Sequence, residues 1–536
     1  MAELSPGERD LLAAADRWWA AHADEFARDL ADWVAVASVS REDQAAPGAP
    51  FGPAVAEIFD VVRGRAEGLG FETFDHSGYA ISIRHDAQGR PVGEPTAAEP
   101  AGPSAPLGPE AVRFAQPAEL GLVSHLDVVE AGEGWTLPPF EATVRDGFVA
   151  GRGAADNKGA ALTDLYLLRF LRDHGVELAH AVRVVYGGNE EVAMKDLRHF
   201  AEHEPIPRLS LITDGPFPVN HAQKGGLDLD ITVPAGPVLS GLNVGTHRAE
   251  VPPRAEVRLP DVLTAASRPA SEVEGPHLER GRFEVATDNG AATAIGHGVG
   301  GHSAFPESGI LNGIGVLARG LIEANLVEGD DLTAARVLAT VLADPYGRAL
   351  GVARSDDESG PLTYNGGIVR GRPGQLELQL AVRFPVSEDW ERLTLDFAAA
   401  LRPLGAQAVG RLGRPPVHVP RSDPRVQLLQ EVFHLVTGID APPIAMGGGT
   451  HARVLPHSIT FGPGLNHSRR DLGLPVRRPR FIPPDHGLTH GPDEVVDLAD
   501  LRLAFRVWLI ALVRLDHHCV GPGPATDLQP TKEPPS

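Results

Sequence analysis

The first part of the chain shows helical periodicity followed by an alternation of strand and helix patterns. Apolar residues recur at helical spacing over residues 8–38 and 52–69, which predicts two amphipathic helices. After the strand GYAISIRHD come the strands ELGLVSHLDVV, AVRVVYGG and LSLITDG, with the helical patterns ALTDLYLLRFLRDHG and MKDLRHFAEHE between them. This order predicts an α/β fold with a mostly parallel, mixed sheet covered by helices.

The pattern changes in the middle of the chain and then returns. LDLDITV, GRFEVATDNG and QLELQLAVRF alternate polar and apolar residues, and helices are predicted near 308–325 and 387–404. From about residue 421 the α/β pattern resumes with the helix PRVQLLQEVFHLVTG, the strands PPIAM and SITFG, and a final helix over about 494–516. An α+β domain at 226–418 is therefore expected to interrupt an α/β domain formed by 1–225 and 419–520.

Two segments are predicted to lie outside this framework. Residues 86–117 are rich in proline and alanine and should form a long exposed insertion. Residues 521–536 should be a disordered tail.

The composition excludes several classes of function. The net charge of −23, from 71 acidic and 48 basic residues, argues against nucleic acid or an anionic membrane as a partner. A single cysteine, Cys519, excludes an internal disulfide and fits a reducing compartment. The start MAELSPGERDLL has neither the basic nor the apolar region of a secretory signal. A cytoplasmic location is therefore expected.

Candidate metal ligands follow the predicted strands. Ligands of α/β sheets bind at the carboxyl ends of the strands, and the side chains found there are mostly carboxylates and imidazoles: His125, Asp127, Asp156, Glu190, Glu191, Asp214 and His490. Such nitrogen and oxygen donors suit zinc, manganese or cobalt. Taken singly, His125 could be a core histidine, and Asp156 or Asp214 a helix cap. Two cations would also explain why two adjacent glutamates are tolerated in YGGNEEV.

The motifs HLDVVEAGEGWTLPPFEATVRDG, AGRGAADNKG, NEEV, ITDG and HGPDE resemble those of the dinuclear zinc hydrolases, a group that includes aminoacylase, acetylornithine deacetylase, glutamate carboxypeptidase and carnosinase. Within this group the sequence is most similar to bacterial Xaa-His dipeptidases of the dipeptidase V type. The resemblance extends to PFGPAVAEIFDVVRGRAEGLGFETFDHSGYAISI, FAEHEPIPRLSLITDGPFPV and GGGTHAR. It implies a zinc-peptidase catalytic domain with an enlarged lid, formed here by 226–418.

The resemblance also implies a role for each residue of the catalytic domain. Asp156 would bridge two zinc ions, with manganese or cobalt as alternatives. His125 and Asp214 would complete one site, and Glu191 and His490 the other. Asp127 would orient the imidazole of His125. Glu190 would be the general base toward a water that bridges the two metals.

In the inserted domain the resemblance points to residues that act on the substrate. His302 of GVGGHSAFPESG would reach over the metals and stabilise the oxyanion. Arg383 of LELQLAVRFP would bind the substrate carboxylate in a bidentate manner. The glycines of GGGTHAR, including Gly448 and Gly449, would offer backbone donors near the substrate. The structural alternatives are a solvent-exposed histidine in a glycine-rich loop and an ordinary surface arginine.

Among the departures from the family pattern, two lie next to predicted metal ligands. Asn157 stands where the dipeptidases often have a second aspartate. The segment 467–487 is longer and richer in arginine than the corresponding link, and its His486 competes with His490 as a ligand. This loop could shape the substrate pocket or be surface decoration.

The expected function is metal-dependent hydrolysis of peptide bonds in dipeptides or short peptides, by a monomer acting on small peptides. Aspartate at position 214 favours this over an N-acyl-amino-acid deacylase, because deacylases of the group more often have glutamate there. A catalytically inactive peptide-binding protein and a serine hydrolase built on Ser303 in GHSAF are the remaining alternatives. An intact Glu190 argues against the first, and the absence of a closing glycine against the second.

Overall fold

The structure is a computed structural model that describes residues 3–89, 112–248, 250–260, 281–288, 291–302, 309–465, 469 and 472–518. The chain forms two compact units. Unit 1 comprises Met1–His221, Val419–Ile444 and Thr450–Ser536, and unit 2 comprises Ala222–His418 and Ala445–Gly449. The domain boundaries predicted from the sequence lie at 225/226 and 418/419. These boundaries stay predictions, and so does the role of the inserted part as a lid.

Unit 1 is built on a mixed sheet covered by helices. Its helices are α1 (Pro6–Ala35), α2 (Pro53–Gly68), α3 (Gly159–Asp173), α4 (Lys195–His203), α8 (Pro424–Thr437) and α9 (Leu498–His518). Its strands are β1 (Glu72–His76), β2 (Ala80–His85), β3 (Glu119–His125), β4 (Thr143–Arg145), β5 (Phe148–Ala150), β6 (Ala181–Gly187), β7 (Leu209–Ile212), β8 (Val219–Gln223), β23 (Ser458–Phe461) and β24 (Val495–Asp497).

Seven of these strands lie in the order β1-β2-β6-β3-β7-β23-β8. The pairs β6–β3, β3–β7 and β7–β23 are parallel, whereas β1 and β2 on one side and β8 on the other are antiparallel to their neighbours. The predicted α/β class with a mixed sheet covered by helices is therefore confirmed, and the parallel pairs form the centre of that sheet. Because β3, β6 and β7 run in the same direction, their carboxyl ends meet at one edge, and His125 lies opposite Gly187.

Within its described residues, unit 2 contains antiparallel strands and three α-helices. The helices are α5 (Gly313–Glu323), α6 (Gly329–Val341) and α7 (Trp390–Leu401). The strands are β9 (Gly225–Pro234), β10 (Asn243–Val244), β11 (Glu250–Val251), β12 (Arg254–Leu259), β13 (Arg282–Asp288), β14 (Ala291–His297), β15 (Gly301–His302), β16 (Ser355–Asp356), β17 (Gly360–Pro361), β18 (Thr363–Arg372), β19 (Gln375–Phe384), β20 (Gln407–Arg414) and β21 (Val417–His418); β22 (Ile444–Met446) follows later in the chain. The largest sheet of the unit has the order β10-β18-β19-β9-β20.

Each unit has its own hydrophobic core. In unit 1, α1, α3 and α9 pack on the sheet, and Trp33, Tyr166 and Trp508 are fully buried. Helix α3 is buried on all sides, since 12 of its 15 residues are inaccessible to solvent. It begins directly after the turn that carries Asp156 and so connects the core to the predicted site.

Several elements were not predicted, the ten-residue strand β18 among them. Strand β1 pairs with β2, β24 pairs with β5 where the last helix was expected to begin, and α6 lies in a stretch that was left without a helix. Most of the insertion at 86–117, the tail at 521–536 and Cys519 lie outside the described residues. Among the described residues, no helix is long and apolar enough to span a membrane.

Candidate metal centre

His125 ends β3 and is held by the residue two positions further along. The Nδ1 of His125 lies 3.0 Å from the backbone oxygen of Asp127 and 3.4 Å from its carboxylate. Both side chains are fully buried. Nε2 is therefore the nitrogen left to face the neighbouring carboxylates, Asp156 at 3.1 Å and Asp214 at 3.8 Å.

The carboxylate of Asp127 also organises the loop of the two glutamates. Its two oxygens accept the backbone N–H groups of Glu190 and Glu191, each at 3.1 Å. The sequence pointed only to a contact between Asp127 and His125. The structure adds that Asp127 fixes the backbone of the two residues predicted as the general base and as a metal ligand.

Asp156 projects from a short π-helical turn, Ala154–Lys158, in which its own backbone angles are not helical. Glu494 holds this turn, because its Oε1 accepts the backbone N–H groups of Ala155 at 2.9 Å and Asp156 at 3.0 Å. Its Oε2 accepts from Arg152 at 2.6 Å and from Gly153 at 3.2 Å. Glu494 was not predicted to matter, although it belongs to the HGPDE motif quoted for His490.

His490 approaches the same place from the turn before β24. Its Nε2 lies 2.9 Å from Oε1 of Glu191 and 3.2 Å from Oδ2 of Asp156. Its backbone has a left-handed φ of 62°, which is uncommon for a residue other than glycine. The competing candidate, His486, pairs instead with Asp493 at 2.7 Å, so that His490 joins the carboxylates and His486 does not.

The structure thus brings the five predicted ligands together, and we call them the carboxylate–imidazole cluster: His125, Asp156, Glu191, Asp214 and His490. Asp156 lies between the others, with one carboxylate oxygen toward His125 and the second toward His490. Ligand atoms of His125, Asp156 and Glu191 lie within 4.8 Å of one another, and so do those of His125, Glu190 and Asp214.

Burial and the close approach of other carboxylates raise the pKa values of Glu190, Glu191 and Asp214. Burial and the Asp214 carboxylate raise the pKa of Glu190 well above its usual range. Burial and the Asp156 carboxylate raise the pKa of Glu191 to about 7, although His490 opposes this. Burial raises the pKa of Asp214 to about 6, against the imidazole of His125. Desolvation lowers the pKa of His490, but the carboxylates of Asp156 and Glu191 outweigh it and raise the value to about 11.

The donor set fits divalent cations. Carboxylates placed this close repel one another unless protons or cations lie between them, and two imidazoles with three carboxylates form a nitrogen–oxygen set suited to zinc or manganese. Oε1 of Glu190 is buried and has no hydrogen-bond partner among the described residues. A buried acceptor of this kind needs a partner such as a water or a substrate proton.

The predicted substrate residues belong to unit 2. His302 pairs through its backbone with Glu250 in the two-stranded β11–β15 sheet. Arg383 lies on β19 opposite Gly226. A Cβ atom at position 226 would lie 3.0 Å from the guanidinium of Arg383. Burial and the neighbouring Arg414 lower the pKa of Arg383. Gly448 and Gly449 follow β22. The reach of these residues to the cluster stays a prediction.

Comparison with known proteins defines the class. The model of the family described as peptidase family M20/M25/M40 matches residues 121–514, nearly three quarters of the chain. The chain therefore belongs to this peptidase family.

Individual relatives support this assignment. The chain is 27% identical over 514 residues to "Putative dipeptidase YtjP" of Bacillus subtilis, covering 92% of this chain and 97% of the relative. It is 25% identical over 505 residues to the Beta-Ala-Xaa dipeptidase of Lactobacillus delbrueckii subsp. lactis, covering 92% and 96%. The fold is also similar to that of human carnosine dipeptidase 1, with a TM-score of 0.51, 15% identity and coverage of 95% and 99%.

Proposed function

We propose that the protein is a metal-dependent dipeptidase that hydrolyses peptide bonds of dipeptides or short peptides at the carboxylate–imidazole cluster. The observation that carries the proposal is the convergence of two imidazoles and three carboxylates beside the buried Oε1 of Glu190, which has no hydrogen-bond partner in the described part of the chain. Membership of a peptidase family and relatives named as dipeptidases support it. The cytoplasmic location and the monomeric state remain predictions.

Two zinc or manganese ions would be held by His125 and Asp214 on one side and by Glu191 and His490 on the other, with Asp156 shared. When bound, such ions acidify a water and polarise the scissile carbonyl. Glu190 takes the proton of the attacking water at its carboxylate and delivers it to the departing amine.

The other residues orient these groups and the substrate. Asp127 holds His125 and the backbone of both glutamates, so that base and ligands keep a fixed spacing. For Arg383 and His302 of unit 2, binding of the substrate carboxylate and of the developing oxyanion stays the prediction made from the sequence.

The test combines a substrate panel with matched variants. Purified protein supplied with zinc or manganese is assayed on Xaa-His and other dipeptides and on N-acetylated amino acids, and metal content is measured. Glu190→Ala should keep its metal and lose most activity, whereas Glu191→Ala should also lose metal. His490→Ala should lose metal and His486→Ala should not. Turnover confined to acylated amino acids, or equal metal content and activity in both glutamate variants, would refute the proposal.

A further inference from the structure

Helix α3, which begins just after the turn of Asp156, carries a buried carboxyl group, that of Asp164. Asp164 is fully buried in a helix whose neighbouring positions are Leu162, Thr163, Leu165 and Tyr166. A buried carboxylate is costly unless it is protonated or fully hydrogen-bonded. Apart from Asp164, the helix follows the pattern of a core helix, so that this position calls for a specific explanation.

Asp164 is the centre of a small buried network of hydroxyl groups. Its Oδ2 lies 2.5 Å from Oγ of Ser124 and 2.7 Å from Oγ1 of Thr213. These two hydroxyls lie 2.7 Å apart, and that of Thr213 also lies 3.1 Å from the backbone oxygen of Val123. The amide of Asn157 donates to the backbone oxygen of Thr213 at 3.2 Å.

The three polar side chains around Asp164 are each adjacent in sequence to a predicted ligand. Ser124 precedes His125 at the end of β3, and Thr213 precedes Asp214 just after β7. Asn157 follows Asp156, and its contact with Thr213 connects the bridging turn to the same network. The carboxyl of Asp164 therefore contacts the ends of both strands, and the Asn157–Thr213 hydrogen bond links the turn of Asp156 to them. These three segments carry three of the five predicted ligands.

A count of the available hydrogens favours the protonated form of Asp164 over its carboxylate. The two hydroxyls supply two hydrogens for four short contacts: Asp164 to Ser124, Asp164 to Thr213, Ser124 to Thr213, and Thr213 to the Val123 carbonyl. A proton on Asp164 supplies a third hydrogen, so that one contact instead of two lacks a hydrogen of its own. Oδ1 of Asp164 has no partner among the described residues, which a neutral carbonyl oxygen tolerates better than a carboxylate.

We propose that Asp164 is a positioning residue that acts as a neutral carboxylic acid and, through Ser124 and Thr213, fixes the strand ends that carry His125 and Asp214. The direction of its pKa agrees, since burial raises the pKa of Asp164 to about 8 against the hydroxyl contacts of Ser124 and Thr213. The inference rests on the proposed function, because it assigns Asp164 to the metal centre proposed above.

The test measures metal affinity of the full chain, independently of activity. The protein is stripped with a chelator, and the affinity for Zn²⁺ or Mn²⁺ is determined by competition with a fluorescent chelator. Asp164→Ala should weaken binding about 10–100-fold, as is typical when a group that orients a ligand is removed. Asp164→Asn should bind like the wild type, since its amide can donate to both hydroxyls. Thr163→Val, on the same buried helix turn, is the matched control and should also bind normally.

Three results would overturn the inference. Asp164→Ala could bind metal as tightly as the wild type, or Asp164→Asn could be as weak as Asp164→Ala, or the control could weaken binding equally. If Asp164→Ala does not fold, as judged by circular dichroism without metal, Thr213→Val replaces it with the same expectation and the same refutation. A wild-type protein that binds neither cation would refute the proposed function itself, and this inference with it.

Discussion

Replacing Glu494 by glutamine tests whether the turn of Asp156 depends on one buried ion pair. Glu494 and Arg152 lie 2.6 Å apart, and each side chain is only 1% exposed. Glutamine has the same shape but a single acceptor oxygen. It can therefore serve either the N–H groups of Ala155 and Asp156 or those of Arg152 and Gly153, but not both pairs.

The expected loss is large because a buried charge is left without its counter-ion. Breaking such a pair costs about 3–5 kcal/mol of unfolding free energy. The assay is urea unfolding of the chelator-treated protein, so that metal binding does not contribute to stability. Asp146→Asn is the control: it removes an ion pair with Arg145 in the same unit, but both side chains are about two-thirds exposed. The control should lose less than about 1 kcal/mol.

Glu494→Gln should also weaken metal binding. In this variant the backbone N–H of Asp156 can lose the carboxylate oxygen that accepts its hydrogen bond. The affinity of the protein for zinc should therefore fall about 10–100-fold in the chelator competition. A free energy of unfolding that changes no more than in Asp146→Asn would refute the reasoning from burial. A large loss of stability with unchanged metal affinity would show that Glu494 supports the fold and not the ligand.

Three further predictions follow from contacts and burial. Asp127→Asn should lower kcat/KM about 10–100-fold, measured by initial rates on a dipeptide, because the amide can accept from only one of the two glutamate N–H groups; an unchanged rate would contradict this role. Gly187→Ala should destabilise the protein by about 1–3 kcal/mol in urea unfolding, because a Cβ would lie 2.1 Å from a carboxylate oxygen of Asp196. Gly64→Ala, on exposed helix surface with nothing within 4 Å, should not destabilise, and equal losses in both would argue against overpacking. Because burial raises the pKa of Asp164 from 3.8 to about 8, this carboxyl releases its proton at lower pH in the unfolded chain than in the folded one. The contribution of Asp164 to metal-free stability should therefore fall by up to about 5 kcal/mol between pH 4 and 8 and then level off. The pH dependence of Asp164→Asn should lack this part, and identical curves would contradict it.

The parts of the fold that could be predicted are those with a local signal. Strands β3, β6 and β7 are runs of β-branched and aliphatic residues bounded by polar or glycine-rich turns, and in a parallel sheet their ends meet at one edge. The convergence of His125 and Asp214 follows from this geometry alone, whereas Asp156 reaches them from the turn before α3. Strand β24 was missed because it has three residues and runs directly into α9, so that its pattern merges with that of the helix.

The supporting residues could not be predicted for a different reason. Glu494 acts on a turn 338 positions earlier in the chain, and no periodicity reveals such a contact. Asp164 interrupts an apolar helical pattern, and that pattern does not show that its partners are the hydroxyls at two strand ends. For Asp127 the sequence indicated the contact with His125, but not that its carboxylate binds the backbone of both glutamates.

The central claim is that the carboxylate–imidazole cluster binds a pair of cations. Anomalous diffraction from crystals grown with zinc tests it most directly, because the signal identifies the metal and its position. The account predicts two zinc peaks, one beside His125 and Asp214 and one beside Glu191 and His490, both in contact with Asp156. Absence of anomalous signal within bonding distance of Asp156, in a protein whose fold is intact, would contradict it.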